Sequence, residues 1–217
     1  YNSNVYEALI INDLLYNSPT SFLNNGFENN YNFLIKNVIS NSTNSSKYKK
    51  NENYEILSNF EFKSALPLIK KDKNYSNYLT PILSYRYGLG KSKNLINDDR
   101  RIDVKNIFAF DRIGAKETIE SGQSLTFGTE FSKLNNNNKE VLSLDLATQF
   151  RKDTNHDLPL NSTIRNKSSD IVGNININPN NVLSFSYDFS LDDGLNETNY
   201  NLIKSEIKIN NFVTTFD

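Results

Sequence analysis

Several stretches of this chain hold residue types that could do chemistry, and each lacks partners. His156, the only histidine, sits in the polar connection Lys152 to Ser168 with Asp153 and Asp157 nearby. A catalytic dyad or a zinc site would need more partners than the chain offers, so His156 reads as a solvated loop residue. Gly88-Leu89-Gly90-Lys91-Ser92 ends like a phosphate-binding loop. That motif needs a glycine five positions before Gly90, where Tyr85 stands, and no amphipathic helix follows. Asp192-Asp193-Gly194 with Glu197 lacks the alternating ligand spacing of a calcium loop and reads as a hairpin. The absence of cysteine rules out disulfides and thiolate metal sites. The expectation is a chain with no cofactor, no metal and no catalytic residue, hence not an enzyme.

The elements around these residues alternate with period two. In Val182 to Asp192, Leu183, Phe185, Tyr187, Phe189 and Leu191 share one face, opposite serines and aspartates. Leu142, Leu144, Leu146, Thr148 and Phe150 oppose Ser143, Asp145, Ala147 and Gln149. Tyr54 to Leu68 alternates over its length, with Ile56, Phe60, Phe62, Leu66 and Leu68 on one face, and Leu125, Phe127 and Phe131 oppose Thr126, Gly128 and Glu130. Successive side chains of a strand point to opposite faces, so these are two-faced strands. Asn135 to Asn138, Asn178-Pro179-Asn180-Asn181 and Asn210-Asn211 are the turns, because asparagine tolerates the left-handed backbone of tight hairpins. About ten strands are expected. Val5 to Leu15 also fits a helix, and a phase slip between Leu202 and Ile203 suggests a bulge or a misread register. Parity of the strands puts the long charged connection Gly88 to Asp103 on the side of the short turns, against the usual pattern.

The chain has 217 residues and a formal net charge of −1, which gives no electrostatic footprint for nucleic acid or anionic headgroups. Mean hydropathy is −0.59, and no run approaches the roughly 20 apolar residues of a membrane helix. A barrel strand needs only about ten residues with every second one apolar, so a membrane protein remains open. An antiparallel sheet in water also alternates. Long strands, aromatic apolar faces and uncharged strand centres favour a transmembrane barrel, since Lys or Arg at mid-bilayer costs about 2–4 kcal/mol. The alternatives are a small complete porin or adhesin barrel and a soluble β-rich binding domain. The chain starts at Tyr1 without methionine and stops at Asp217 in what reads as an unfinished strand, so both ends read as cut.

Several strings in series resemble one family. They are Asn106-Ile107-Phe108-Ala109-Phe110-Asp111-Arg112-Ile113; Ile119 to Gly128; Asp157-Leu158-Pro159 followed by Lys167 to Gly173; and Tyr187 to Asp192. In order and spacing they are similar to the barrel of the LptD (OstA, Imp) lipopolysaccharide-assembly family. Ala65-Leu66-Pro67-Leu68 and Leu79 to Tyr87 resemble versions from SAR11-type marine alphaproteobacteria. The resemblance implies an antiparallel transmembrane β-barrel segment spanning residues 1–217, part of a larger barrel in the bacterial outer membrane that inserts lipopolysaccharide into the outer leaflet. It implies lipopolysaccharide, membrane lipid, an LptE-like plug lipoprotein and, through a missing N-terminal domain, an LptA-like periplasmic bridge as partners, with no nucleic acid.

The resemblance also implies structural roles for Asp111, Arg112, Gly122, Gly128, Pro159, Ser169, Asp170, Gly173 and Asp192. Asp111-Arg112 and Ser169-Asp170 are expected at strand ends, fixing register by hydrogen bonds. The run Asp98-Asp99-Arg100-Arg101 with Asp103 is expected as a salt-bridged lead-in just before a barrel strand. Pro67 and Pro81 lie inside strand-like segments, cannot donate to a ladder, and so mark an edge, a bulge or a weakened pairing that could serve sideways opening.

Overall fold

The computed structural model describes residues 4–45, 48–209 and 212–216. The strands are β1 (Tyr6–Asn17), β2 (Ser21–Phe22), β3 (Glu28–Thr43), β4 (Asn53–Ala65), β5 (Leu68–Lys71), β6 (Tyr75–Leu89), β7 (Gly122–Asn135), β8 (Glu140–Arg151), β9 (Ile171–Ile177), β10 (Leu183–Leu191), β11 (Thr198–Ile209) and β12 (Phe212–Phe216). They form one antiparallel sheet in the order β1-β3-β4-β6-β7-β8-β9-β10-β11-β12, with the short β2 and β5 paired to β3 and β6. Along this path each strand pairs with the next, as in a meander. The sole helical element among the described residues is a 3-10 turn, Thr163–Arg165. The expected all-β, antiparallel barrel wall of about ten strands is what this sheet is.

The register carries the alternation across the whole wall. Leu79, Phe131, Leu144 and Ile175 lie in one outward row, followed by Tyr187 and Ile203. Among the described residues no second sheet covers that side, and Leu79, Phe127, Phe150, Ile177 and Ile203 are all exposed. The apolar cluster lies instead on the inner side. Leu95, Ile102, Ile107, Ile113 and Ala115 from the connection 90–121, and Leu158 and Ile164 from 152–170, pack onto Ala147 and Val172.

The first expected strand, Val5 to Leu15, with a helix as its alternative, is strand: β1, Tyr6–Asn17, pairs with β3 along its length. Other local expectations change. No slip occurs at Leu202 and Ile203, whose pairing with Asp188 and Tyr187 is continuous. Leu202 simply faces inward, and the irregularity falls at Ser190/Leu191. The run Tyr54 to Leu68 is broken at residues 66–67. Nor does a strand follow the charge run at Asp98: residues 104–110 turn, and Ile107 is fully buried in the inner cluster. Counting that stretch as a strand inverts the parity. Without it, the connections 44–52, 90–121, 152–170 and 192–197 share one end of the sheet. The turns 72–74, 136–139 and 178–182 share the other. The turn expected at Asn210-Asn211 lies outside the described residues.

Candidate functional site

The inner face of β4, β6, β7 and β8 is largely polar because most inward residues there are Ser, Thr, Asn, Gln or charged, with Leu57, Ile82 and Ala147 among the exceptions, and the connection 90–121 folds back onto it. Register brings Glu61 of β4 level with Arg86 of β6, Arg86 level with Ser124 of β7, and Ser124 level with Arg151 of β8. Glu61 pairs with Arg86 at 2.5 Å and accepts from Ser84 Oγ and Asn32 Nδ2, both at 2.8 Å. Arg86 also donates to the carbonyls of Ile107 at 3.2 Å and Ala109 at 2.9 Å. One arginine of the wall thus holds both a wall carboxylate and the backbone of the connection.

Arg112 belongs to the connection and grips Glu120 through two hydrogen bonds of 2.6 Å. Its remaining donors reach Ser124 Oγ at 3.1 Å, Thr126 Oγ1 at 3.3 Å and the Ile107 carbonyl at 3.2 Å. Arg151 adds a second cation on Glu120 and donates to the Ser121 carbonyl. Burial by itself raises the Glu120 carboxyl. Arg112 first, then Arg151 and Arg86, outweigh burial and hold the group down at about 2. At the far side Lys36 of β3 pairs with Asp13 of β1 at 2.7 Å and donates to the Lys116 carbonyl at 2.7 Å. The wall therefore clamps connection 90–121 along its length by cation-to-carbonyl bonds, the stronger charge-assisted kind.

Two glycines of the wall make room for it. A Cβ at Gly88 would collide with the Glu120 carbonyl, and one at Gly128 would lie 2.7 Å from the Phe108 ring. Gly122 opens β7 with φ +91° beside the Arg151 guanidinium. Gly173 differs: it lies under the Phe189 ring on the outer side.

The residues singled out from sequence fall into separate groups. Asp111 and Arg112 are not at a strand end, because they lie inside connection 90–121. Asp111 accepts from the Gly114 N–H at 2.9 Å. Ser169 and Asp170 do precede β9. Ser169 Oγ accepts from the Gln149 N–H at 2.9 Å. Asp170 accepts from Ser190 Oγ at 2.6 Å and Asn199 Nδ2 at 2.9 Å, joining β10 and β11 to the connection. Pro159 is buried in the connection 152–170. Asp192 caps its hairpin, accepting from the N–H groups of Asn196 at 2.6 Å and Glu197 at 2.8 Å. The Asp98 run joins this end as well: Arg100 pairs with Asp98 at 3.2 Å, and Arg101 lies 4.6 Å from the Tyr200 ring centroid. Pro67 and Pro81 meet at one place. Pairing of β6 passes from β4 at Ala65↔Ile82 to β5 at Leu68↔Leu79. The gap holds both prolines, bridged by the Leu66 N–H donating to the Pro81 carbonyl at 3.0 Å.

Sequence reading did not single out Glu61, Arg86, Glu120 or Arg151. For Glu61, Arg86 and Arg151 the available signal was a full charge at an inward strand position; Glu120, in the connection, carried no such signal. No group of three or more His, Cys, Asp or Glu side chains able to hold a metal occurs among the described residues.

A long-stranded antiparallel meander, apolar and uncovered outside, polar and filled by its own connections inside, is the wall of an outer-membrane β-barrel. The family model described as LPS transport system D, LptD, matches residues 25–212. The chain belongs to the LptD family, a component of lipopolysaccharide transport at the outer membrane. No curated protein matches the chain.

Proposed function

We propose that residues 1–217 are a continuous piece of barrel wall in a protein that inserts lipopolysaccharide into the outer leaflet, without enzymatic chemistry of its own. The observation that carries this reading is the two-faced sheet in a chain of the LptD family: outward rows such as Leu79, Phe131 and Leu144 uncovered, inward rows polar. The outer rows would touch membrane lipid. The inner face would meet the saccharide of lipopolysaccharide and an LptE-like plug lipoprotein, and an LptA-like bridge would act through a domain outside this chain. The long connections gather at one end, which by the usual pattern of these barrels is the extracellular one. The strings at 65–68 and 79–87 support a place among marine alphaproteobacterial members.

Arg112, Ser169 and Asp170 serve in this reading to fasten the connections to the wall. The interruption at Pro67 and Pro81 supplies a weak step in the ladder that could ease sideways opening. Unchanged lipopolysaccharide export in the Pro67→Ala/Pro81→Ala variant would dispose of that role.

The main test uses the full-length protein in cells, with a photo-crosslinking residue placed singly at Tyr78 and Ser132 on the inner face, and at Leu144 and Phe185 on the outer face. Adducts with lipopolysaccharide or the plug are expected at the inner pair. Adducts confined to the outer pair would overturn the reading.

A further inference from the structure

A cavity of about 660 Å³ opens at the end that carries the long connections, between the β3–β4 hairpin and the strap at residues 90–94. Its floor is Ser40 and Leu57, both buried. Gly90 lets the strap pass close over Leu57: its φ is +111°, and a Cβ there would lie 2.5 Å from a Leu57 methyl. That size falls within the range of small-molecule sites, about 300–1,000 Å³.

The rim is preorganised by a chain of contacts. Lys93 Nζ stands 4.5 Å from the Tyr48 ring centroid and 3.5 Å from Glu55 Oε2. Glu55 Oε1 accepts from Asn53 Nδ2 at 2.8 Å. Lys93 and Glu55 thus satisfy each other, and Tyr48 already has a cation over its face. Lys49 and Lys91 also line the cavity, are exposed, and make no ion pair among the described residues. Asp157 is the one other acid of the lining, so two uncommitted cations face one carboxylate. Asn53 and Asn94 bring side-chain amides, groups that both donate and accept, to the lining, whereas Ser92 Oγ is committed to the Ile119 carbonyl at 2.9 Å.

Two cations select an anion. The size of the cavity and its mixed donors and acceptors suit hydroxyl groups around that anion rather than a lone phosphate. We propose that this cavity is a binding site for a saccharide bearing phosphate or carboxylate, held through its charge by Lys49 and Lys91. The proposal rests on the reading of the chain as a lipopolysaccharide-exporting wall, and it places a contact for the charged sugar beyond the clamped connection.

The test measures binding of the deacylated, phosphorylated oligosaccharide of lipopolysaccharide to the full-length protein in detergent, by titration calorimetry. The same oligosaccharide after phosphate removal is the second probe. The Lys49→Ala/Lys91→Ala variant should bind the phosphorylated probe about fivefold more weakly than the wild type, and raised salt should narrow the difference. The dephosphorylated probe should bind both proteins alike. Absence of binding to the wild type, or equal affinity of wild type and variant for the phosphorylated probe, overturns the site. Both lysines are exposed, so the variant folds, which heat-modifiable gel mobility verifies. Inner-face adducts at Tyr78 and Ser132 that persist when the site fails leave the wall reading standing. Their loss in the wild type counts against the wall reading itself.

Discussion

Arg112 and Glu120 face each other as a bidentate pair with both arms at 2.6 Å. The guanidinium is fully buried and the carboxylate nearly so. Both belong to connection 90–121, yet Arg151, Ser124 and Thr126, which they also bond, belong to β7 and β8. The pair is thus the point where the connection is fastened to the wall. Desolvation offsets much of the attraction in a buried pair, so its presence adds little net stability. Removal of one partner is another matter, because the remaining charges stay buried without compensation.

Glu120→Ala strands Arg112 and Arg151 together. It should destabilise the full-length protein by about 3–5 kcal/mol, read as a lowered urea midpoint in detergent. A loss below about 1 kcal/mol would mean that water reaches the cluster and that the connection is not clamped there.

The same carboxylate sets a pH dependence. Its folded value is about 2, against an ordinary 4.5, so the folded state holds the proton less readily than the unfolded one. Its contribution is complete above about pH 4.5 and disappears as pH falls through the folded value near 2. Other carboxylates titrate nearby, so the observable is a difference. Between pH 5 and pH 2 the stability of the wild type should fall more steeply than that of Glu120→Gln. Parallel curves would contradict the sign or the location of the shift.

Gly88 tests the fit of connection to wall without touching a charge. A Cβ there meets the Glu120 carbonyl, so Gly88→Ala must push residues 120–121 off β6. Overpacking of this kind costs about 1–3 kcal/mol. Limited proteolysis should cut within 90–121 faster in the variant, with the strands spared. An unchanged cleavage rate would show that the connection does not sit on the wall in solution.

The two faces should answer oppositely to one substitution. Leu144 faces outward on β8, and Ser132 faces inward on β7. Leu144→Arg should cost about 2–4 kcal/mol on folding into lipid vesicles, while Ser132→Arg should cost little. Equal penalties would remove the distinction between a lipid side and a wet side.

Residue order alone yields β7, β8 and β10 and the hairpin at Asn135 to Asn138. Alternation and turn chemistry are local properties, spaced two to four residues apart in the chain. The two-sidedness of the sheet follows from the same pattern. Glu61, Arg86, Glu120 and Arg151 are equally plain as letters, but their meeting depends on β-register and on a connection that returns across three strands. Glu61 and Arg86 stand 25 positions apart, Arg151 and Glu120 stand 31. The clearest case is Ile107-Phe108-Ala109-Phe110. An apolar run must leave water, and lipid outside the barrel or apolar side chains inside it serve equally well. Only the tertiary structure decides between them. Gly128 accepts Phe108, and Arg86 satisfies the carbonyls of Ile107 and Ala109, so Ile107 is buried and Phe108 half-buried against the inner face, and the run is not added to the wall.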